Sequence, residues 1–204
     1  MFIFFSGFLY GQHHDPATWI QIGAEVDLPN KFIAGISEQV RYNIETADPY
    51  RLLTDLVLEY KIDKDFKTGI EYRHSALADA RYDRFAAMLS YQNGIGKFDL
   101  GFKTKIQYSL QPADNEDNTA WRNKISLKYD KLKNMKPYVS LETFYQISNV
   151  ENTFNTIRPE IGIDLQLSDN HEITVYYLID KEFNEPDPLT LYVVGLNYLF
   201  KFKV

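Results

Sequence analysis

Hydrophobic and polar residues alternate along most of this chain. In the stretch from Leu191 to Phe202, one parity carries Tyr, Val, Leu, Tyr, Phe and Phe, whereas the other carries Gly195, Asn197 and Lys201. Alternation of period two over a dozen residues predicts a β-strand with one apolar and one more polar face. Eleven segments follow this pattern, and no amphipathic helix period of useful length occurs between them, so the sequence predicts an all-β protein. The segments are Trp19–Leu28, Phe32–Ile44, Leu52–Ile62, Phe66–His74, Arg84–Gln92, Phe98–Tyr108, Trp121–Tyr129, Pro137–Gln146, Ile157–Leu167, Glu172–Asp180 and Thr190–Phe202.

The lengths of the segments and of their connections indicate a membrane barrel. Most segments are longer than the usual strand of about five or six residues and approach the length of a membrane-spanning strand. Short connections alternate with longer ones, as in outer-membrane barrels with tight periplasmic turns and longer extracellular loops. We therefore expect a single antiparallel transmembrane β-barrel of about 10–12 strands over residues 12–204, with its last strand ending in the periplasm. The longer connections are Glu45–Arg51, Ser75–Asp83, Ser109–Ala120, Ile147–Thr156 and Lys181–Leu189.

Eleven strands conflict with a barrel whose two termini are both periplasmic, because that arrangement requires an even number. Two resolutions stay open at this point. Either His13–Ala17 contributes a short twelfth strand, or ten strands close and the first segment lies elsewhere.

Aromatic residues on the apolar parity lie at the strand ends, with aliphatic residues between them. Phe98 and Tyr108 bracket one such strand, which would span about 25 Å of membrane after tilting. Two aromatic girdles around an aliphatic band match the two membrane interfaces. A soluble periplasmic carrier of apolar ligands, which would turn its apolar face inward, has no reason for this order and is the weaker alternative. The predicted girdle comprises Tyr42, Tyr60, Tyr72, Phe85, Tyr91, Phe98, Tyr108, Trp121 and Tyr129.

Three residues depart from the face assignment. Glu38 and Asn123 fall on the outward parity, and Trp19 falls on the inward one. A β-bulge would reassign such residues to the other face.

The inward parity carries charges of both signs, and we expect it to form a lumen packed with salt bridges. Opposite charges recur two residues apart on one strand, and a buried charge without a partner is costly. A narrow or closed lumen follows, with a selective pore or binding cavity as the alternative. The predicted lumen network comprises Glu59, Lys61, Glu71, Arg73, Arg84, Lys103, Arg122, Lys124, Glu142, Arg158 and Glu160.

Composition narrows the class further. The chain has 204 residues, which suits one domain, and no cysteine, so no disulfide is formed. Its net charge of −6 argues against nucleic acid as a partner. Residues 1–11 are apolar and aromatic and end in glycine, which predicts the remnant of a secretory signal peptide.

Several short segments resemble a known family. They are Trp19, Gln39-Val40-Arg41, Glu71-Tyr72-Arg73, Arg122-Asn123-Lys124, Arg158-Pro159-Glu160 and the ending Gly195-Leu196-Asn197-Tyr198. Together they resemble an uncharacterised outer-membrane barrel family of Bacteroidota, known as a domain of unknown function. The resemblance implies the fold and an outer-membrane location, and it brings no activity with it. The long aromatic last strand also resembles the closing strands that the bacterial barrel-assembly machinery recognises.

The His, Ser and acidic residues are the candidates for a catalytic or metal site. His74 and Ser75 are adjacent on one strand and point to opposite faces, so they form no dyad, whereas His74 with Ser90 stays open as a pair from different strands. His13 and His14 alone are weak metal ligands. The acidic loop Asp114–Asn118 lacks the glycine and distal glutamate of an EF-hand. We therefore expect no catalytic residue, no metal and no cofactor.

The sequence thus predicts an outer-membrane β-barrel of a Gram-negative bacterium that acts as a scaffold, complex subunit or minor pore. The alternative from another class is a barrel enzyme acting on lipids. Expected partners are outer-membrane lipids, lipopolysaccharide and the assembly machinery, while an envelope protein partner stays unnamed.

Overall fold

Eleven β-strands form one closed barrel. The structure is a computed structural model that describes residues 13–45, 49–77, 81–110, 118–147, 152–185 and 187–203. The predicted all-β class and the strand number within 10–12 are confirmed. The strands are β1 (His13–Asp27), β2 (Phe32–Asn43), β3 (Pro49–Lys61), β4 (Phe66–Leu77), β5 (Arg81–Ile95), β6 (Phe98–Leu110), β7 (Asn118–Tyr129), β8 (Met135–Ile147), β9 (Thr153–Gln166), β10 (His171–Glu182) and β11 (Leu189–Lys203).

The barrel closes by a parallel pairing of its first and last strands. Fifteen residue pairs join β1 to β11, from His13 opposite Leu189 to Asp27 opposite Lys203, and every other neighbouring pair is antiparallel. Both resolutions of the strand number offered above are therefore wrong. Residues 13–17 begin β1, and the first segment belongs to the wall. The two strands pair in parallel because each runs from the same end of the barrel to the other.

The connections define two ends of the barrel. The turn end carries the connections from β1 to β2, β3 to β4, β5 to β6, β7 to β8 and β9 to β10, the first of which contains a 3₁₀ turn, Pro29–Lys31. The loop end carries the others, together with the start of β1. The prediction of a long loop over Ser75–Asp83 is wrong, because β4 continues to Leu77 and β5 starts at Arg81. Pairing of Ser75 with Tyr82 and of His74 with Asp83 satisfies backbone groups that a loop would leave to water.

The two faces of the wall differ in chemistry. Aliphatic side chains such as Ile70, Ile106, Val139 and Ile161 point outward and are 50–61% exposed. Most of the charged and amide side chains of the strands point inward, as Arg73, Glu142 and Gln107 do. Period-two alternation produces this division, because a strand in a barrel wall directs successive side chains to opposite sides.

Aromatic residues pair across strands near both ends of the outer surface. At the turn end Phe32 packs on Tyr60, Phe66 on Tyr91 and Phe98 on Tyr129; at the loop end Tyr72 packs on Phe85 and Tyr145 on Phe154. Tyr108 and Trp121 are also exposed on this surface, and the Trp121 indole donates to Thr104 Oγ1 at 2.7 Å. Tyr42 occupies an outward position near the loop-end terminus of β2, opposite Thr18.

An apolar cluster lies inside the barrel, against the seam between β1, β11 and β10. It comprises Ala17, Trp19, Tyr176, Leu178 and Val193, each at most 7% exposed. Trp19 therefore faces the lumen as its parity predicts, and no bulge displaces it. Glu38 keeps its outward position and accepts a hydrogen bond from Thr54 Oγ1 at 2.7 Å.

Two inward glycines are covered by tyrosine rings. A Cβ at Gly195 would overlap the ring of Tyr176, and a Cβ at Gly162 would lie 2.6 Å from the ring of Tyr138. Each glycine thus lets an aromatic side chain lie flat on the neighbouring strand, which fills the lumen without adding a charge.

We predict that Gly195→Ala destabilises the barrel by about 1–3 kcal/mol, because the added methyl group displaces Tyr176 from the seam cluster. Gly35→Ala is the matched control, since its Cβ would meet nothing closer than 3.7 Å. Unfolding in denaturant measures both variants. Equal stability of the two variants would show that the Tyr176 contact does not constrain the wall.

Candidate functional site: the charged lumen

The side chains predicted to form the lumen network lie on the inward face, and most of them form ion pairs across strands. Arg73 forms a bidentate pair with Asp55, and Glu142 bridges Arg122 at 2.8 Å and Arg158 at 3.5 Å. Arg158 also pairs through its other terminal nitrogen, since Nη2 lies 2.6 Å from Asp180 Oδ2. These pairs are well buried, so their carboxylates and guanidiniums depend on each other for solvation.

Several pairs reach across an intervening strand. Lys105 on β6 lies 2.5 Å from Glu71 on β4, and Lys124 on β7 lies 3.3 Å from Glu160 on β9. Small inward residues make this reach feasible: Ala86 on β5 lies opposite Glu71, and Ser140 on β8 lies opposite Glu160. Two further pairs also join strands that are separated by one other strand, namely Lys128 with Asp164 and Lys61 with Asp27.

The expected pairing of charges two residues apart on one strand is not formed in the described part of the chain. Glu59, Glu71 and Glu160 each pair with a lysine from another strand. Two of these lysines reach over a small residue on an intervening strand, so the shorter same-strand spacing of nearly 7 Å does not decide the pairing.

Cavities lie at several levels of the lumen among the residues that the structure describes. A cavity of about 600 Å³ lies at the turn end, a second of about 440 Å³ lies in the middle, and a third of about 200 Å³ lies at the loop end. The first contains Lys103 as well as Glu59. The third is called the loop-end chamber below. Four arginines line both the middle cavity and the loop-end chamber, and they therefore stand between the two; this arginine ring comprises Arg41, Arg73, Arg122 and Arg158.

The loop-end chamber has more cations than anions. Six arginines line it, namely the arginine ring with Arg51 and Arg84, against the carboxylates of Asp180 and Glu182. Asp180 is already paired with Arg158, and Glu182 accepts the backbone N–H of Leu189 at 3.1 Å.

Trp19 and Arg41 are stacked in the lumen. The Arg41 guanidinium lies 3.7 Å from the centre of the Trp19 ring, and its Nε donates to Gln39 Oε1 at 2.8 Å. The Trp19 indole donates to the Tyr50 hydroxyl at 3.0 Å. The stack was not anticipated, although both residues were on the inward parity. Arg51 lies one residue before the third predicted segment and is therefore absent from the predicted network, although the same alternation extended backwards includes it.

The histidine and serine candidates are not brought together. His74 points outward, with Nδ1 2.8 Å from Asp83 Oδ1, and Tyr72 donates to the same oxygen at 2.8 Å. Ser75 is fully buried on the inward side. Ser90 lies opposite Lys67, at the other end of β4 from His74, and on the inner face. Neither pairing of His74 with a serine therefore has the geometry of a dyad.

Two exposed carboxylates stabilise connections at the turn end. Asp63 accepts the backbone N–H groups of Asp65 and Phe66 at 2.8 Å each, and these hydrogen bonds lower the pKa of its carboxyl group. Lys136 hydrogen-bonds Asp130 at 2.5 Å and likewise lowers the pKa of that carboxyl group. Both shifts favour the ionised form that holds the turn.

Within the described ranges, no group of three or more His, Cys, Asp or Glu residues is arranged to hold a metal ion. No helix in those ranges is long and apolar enough to cross a membrane. The acidic loop over residues 111–117 and the segment 1–11 lie outside the described residues.

The fold and the lumen define a class: a closed eleven-stranded barrel with an apolar exterior and a charged, ion-paired interior. A family model for proteins of unknown function (DUF2490) matches residues 17–188, and the chain belongs to this family. The comparison with curated proteins returned no match. The family assignment agrees with the domain-of-unknown-function part of the resemblance described above.

We predict that Glu71→Leu destabilises the barrel by about 3–5 kcal/mol, because it leaves Lys105 buried without a partner. The double variant Glu71→Leu/Lys105→Met removes both charges and should recover most of that loss. Lys136→Ala, which breaks an exposed pair with Asp130, should cost about 0–1 kcal/mol. Unfolding midpoints in denaturant give all three values, and a double variant as unstable as the single one would contradict the pairing.

Proposed function

We propose that this protein is an outer-membrane β-barrel whose lumen is closed by its ion-pair network, and that it serves as a scaffold or subunit in the cell envelope. One observation carries the proposal: the apolar residues of the wall are on the outside and the charges are on the inside. The distribution is the reverse of that in a soluble protein. A lipid bilayer is the solvent that this surface suits.

The exterior supports the membrane part of the proposal. Exposed Leu, Ile, Val and Phe side chains occur on every strand of the barrel. In water they would form an apolar surface far larger than the few hundred Å² that soluble monomers tolerate. Cross-strand aromatic pairs near both ends of the barrel suit the two membrane interfaces.

The interior of the barrel supports a closed lumen and disfavours both a carrier of apolar ligands and a lipid-modifying enzyme. The arginine ring and its carboxylate partners stand between the middle cavity and the loop-end chamber, where a pore would need an open path. An apolar ligand would meet charged side chains rather than a hydrophobic pocket, which disfavours a carrier. A lipid-modifying enzyme would need a nucleophile beside a base, and His74 has neither Ser75 nor Ser90 within reach.

The membrane assignment predicts that the protein, expressed behind a secretory signal, fractionates with outer membranes and migrates differently in gels before and after heating. Ile125→Arg should reduce the folded fraction in bilayers, because an arginine at mid-membrane costs about 2–4 kcal/mol. Gln92→Arg is the control: it lies inside, opposite Gly101, in the same cavity as Asp99, and should cost much less. Recovery of a soluble periplasmic monomer would overturn the assignment.

The closed lumen predicts little or no steady conductance in planar bilayers. Replacing three members of the arginine ring, Arg73, Arg122 and Arg158, by Ala should make the barrel leak or lose stability, because their carboxylate partners lose their counter-charges. Lys61→Ala with Lys201→Ala, two cation losses near the turn end, should leave conductance unchanged. A large, steady current through the unmodified protein would refute the closed lumen.

A further inference from the structure

Like charges face each other across the strands beside the loop-end chamber. Arg41 on β2 lies directly opposite Arg51 on β3, and Arg73 on β4 lies directly opposite Arg84 on β5. Like charges in directly opposed positions destabilise a sheet. Two such pairs on four consecutive strands concentrate guanidinium groups at one level of the lumen.

Three of these arginines have no carboxylate partner in the described part of the chain. The ion pairs of the chamber use Arg73, Arg122 and Arg158, and none joins Arg41, Arg51 or Arg84 to an acidic group within 4.0 Å. Arg41 stacks on Trp19.

Arg84 and Arg51 have buried donors without acceptors. Nε and Nη2 of Arg84 and Nε of Arg51 are shielded from solvent and have no hydrogen-bond partner among the described residues. A buried cationic donor left unsatisfied is among the most costly groups in a protein.

Rearrangement of the nearby carboxylates would not satisfy these donors. Asp55 is bidentate to Arg73, and Glu142 is shared by two arginines. One oxygen each of Glu71 and Asp180 is unoccupied, but both of these carboxylates already neutralise another cation. Glu182 also lines the chamber, but it is a single carboxylate beside Arg41, Arg51 and Arg84, so the chamber lacks negative charge.

We propose that the loop-end chamber binds a small tetrahedral oxyanion of the phosphate or sulfate class, held chiefly by Arg51 and Arg84. Guanidinium groups present forked donors that match the oxygens of such an anion. The chamber has a volume of about 200 Å³. With about 30 Å³ for each water, that volume accommodates the anion and a few waters. The proposed site rests on the arginines and the volume of the chamber, and it is independent of where in the cell the barrel is located.

The experiment measures thermal unfolding of the full chain in a non-ionic detergent, with sodium phosphate, sodium sulfate or sodium chloride at equal ionic strength. Phosphate and sulfate should raise Tm more than chloride does, and the rise should become logarithmic in anion concentration above Kd, because a ligand that binds only the native state stabilises it by RT ln(1 + [L]/Kd). Arg84→Gln and Arg51→Gln should each raise the apparent Kd for phosphate about tenfold, because each removes charge-assisted hydrogen bonds to the anion. Arg84→Lys should be intermediate, since it keeps the charge and loses the fork.

A matched control and three outcomes decide the question. Lys103→Gln removes a lumen cation from the turn-end cavity and should leave the phosphate response unchanged. A phosphate response no larger than that of chloride, or an equal phosphate response in Arg84→Gln, would overturn the proposal and leave water as the partner of these donors. If a short-chain phosphatidic acid competes with phosphate for the chamber, the natural ligand is a lipid phosphate headgroup, and the proposal of a free oxyanion is overturned.

The third overturning outcome concerns the acidic loop of the chain itself. If the variant Asp114→Asn/Glu116→Gln/Asp117→Asn lowers Tm as much as Arg84→Gln does, and the two changes together cost no more than either alone, those carboxylates fill the chamber. Additive losses, with the phosphate response kept in the loop variant, would support the oxyanion.

Discussion

The parallel pairing of β1 with β11 is the constraint on which the other contacts of the barrel depend. Without it, β1 and β11 would each present an open edge fifteen residues long, where every second residue would have unpaired backbone groups. It also fixes the circumference at eleven strands and so determines which inward side chains face each other. An odd strand number follows from parallel closure, since the first and last strands must run the same way.

The seam created by this pairing explains why part of the lumen is apolar. Gly195 on β11 lies beside Trp19 on β1 and admits the ring of Tyr176 from β10. These rings fill the space behind the seam without requiring counter-charges. They also give Arg41 a flat surface, and a stacked guanidinium gains about 0.5–2 kcal/mol from such a contact. The closure thus positions Arg41, one of the six arginines that line the loop-end chamber.

Alternation along the chain was enough to predict the fold class and the two faces, because a strand in a closed wall has only an inside and an outside. Ile106 and Lys105 illustrate the division: neighbours in sequence, one is exposed on the wall and the other is buried against Glu71. The parallel closure was not predictable from parity, since alternation is the same in either strand direction. Extending β4 and β5 through Ser75 and Tyr82 depends on cross-strand register, which the sequence of one strand does not contain.

The charged site was predictable as a set of residues but not as a set of pairs. Pairing depends on which strands are neighbours and on how residues align between them, as in Lys105 reaching over Ala86 to Glu71. The same register places Arg73 opposite Arg84, which no pattern within β4 or β5 indicates. Packing alone would favour opposite charges or small polar residues at these positions, as Ser140 beside Glu160 does elsewhere in the lumen. A local rule broken twice at one level, with a cavity beside it, is characteristic of a position kept for binding rather than for stability.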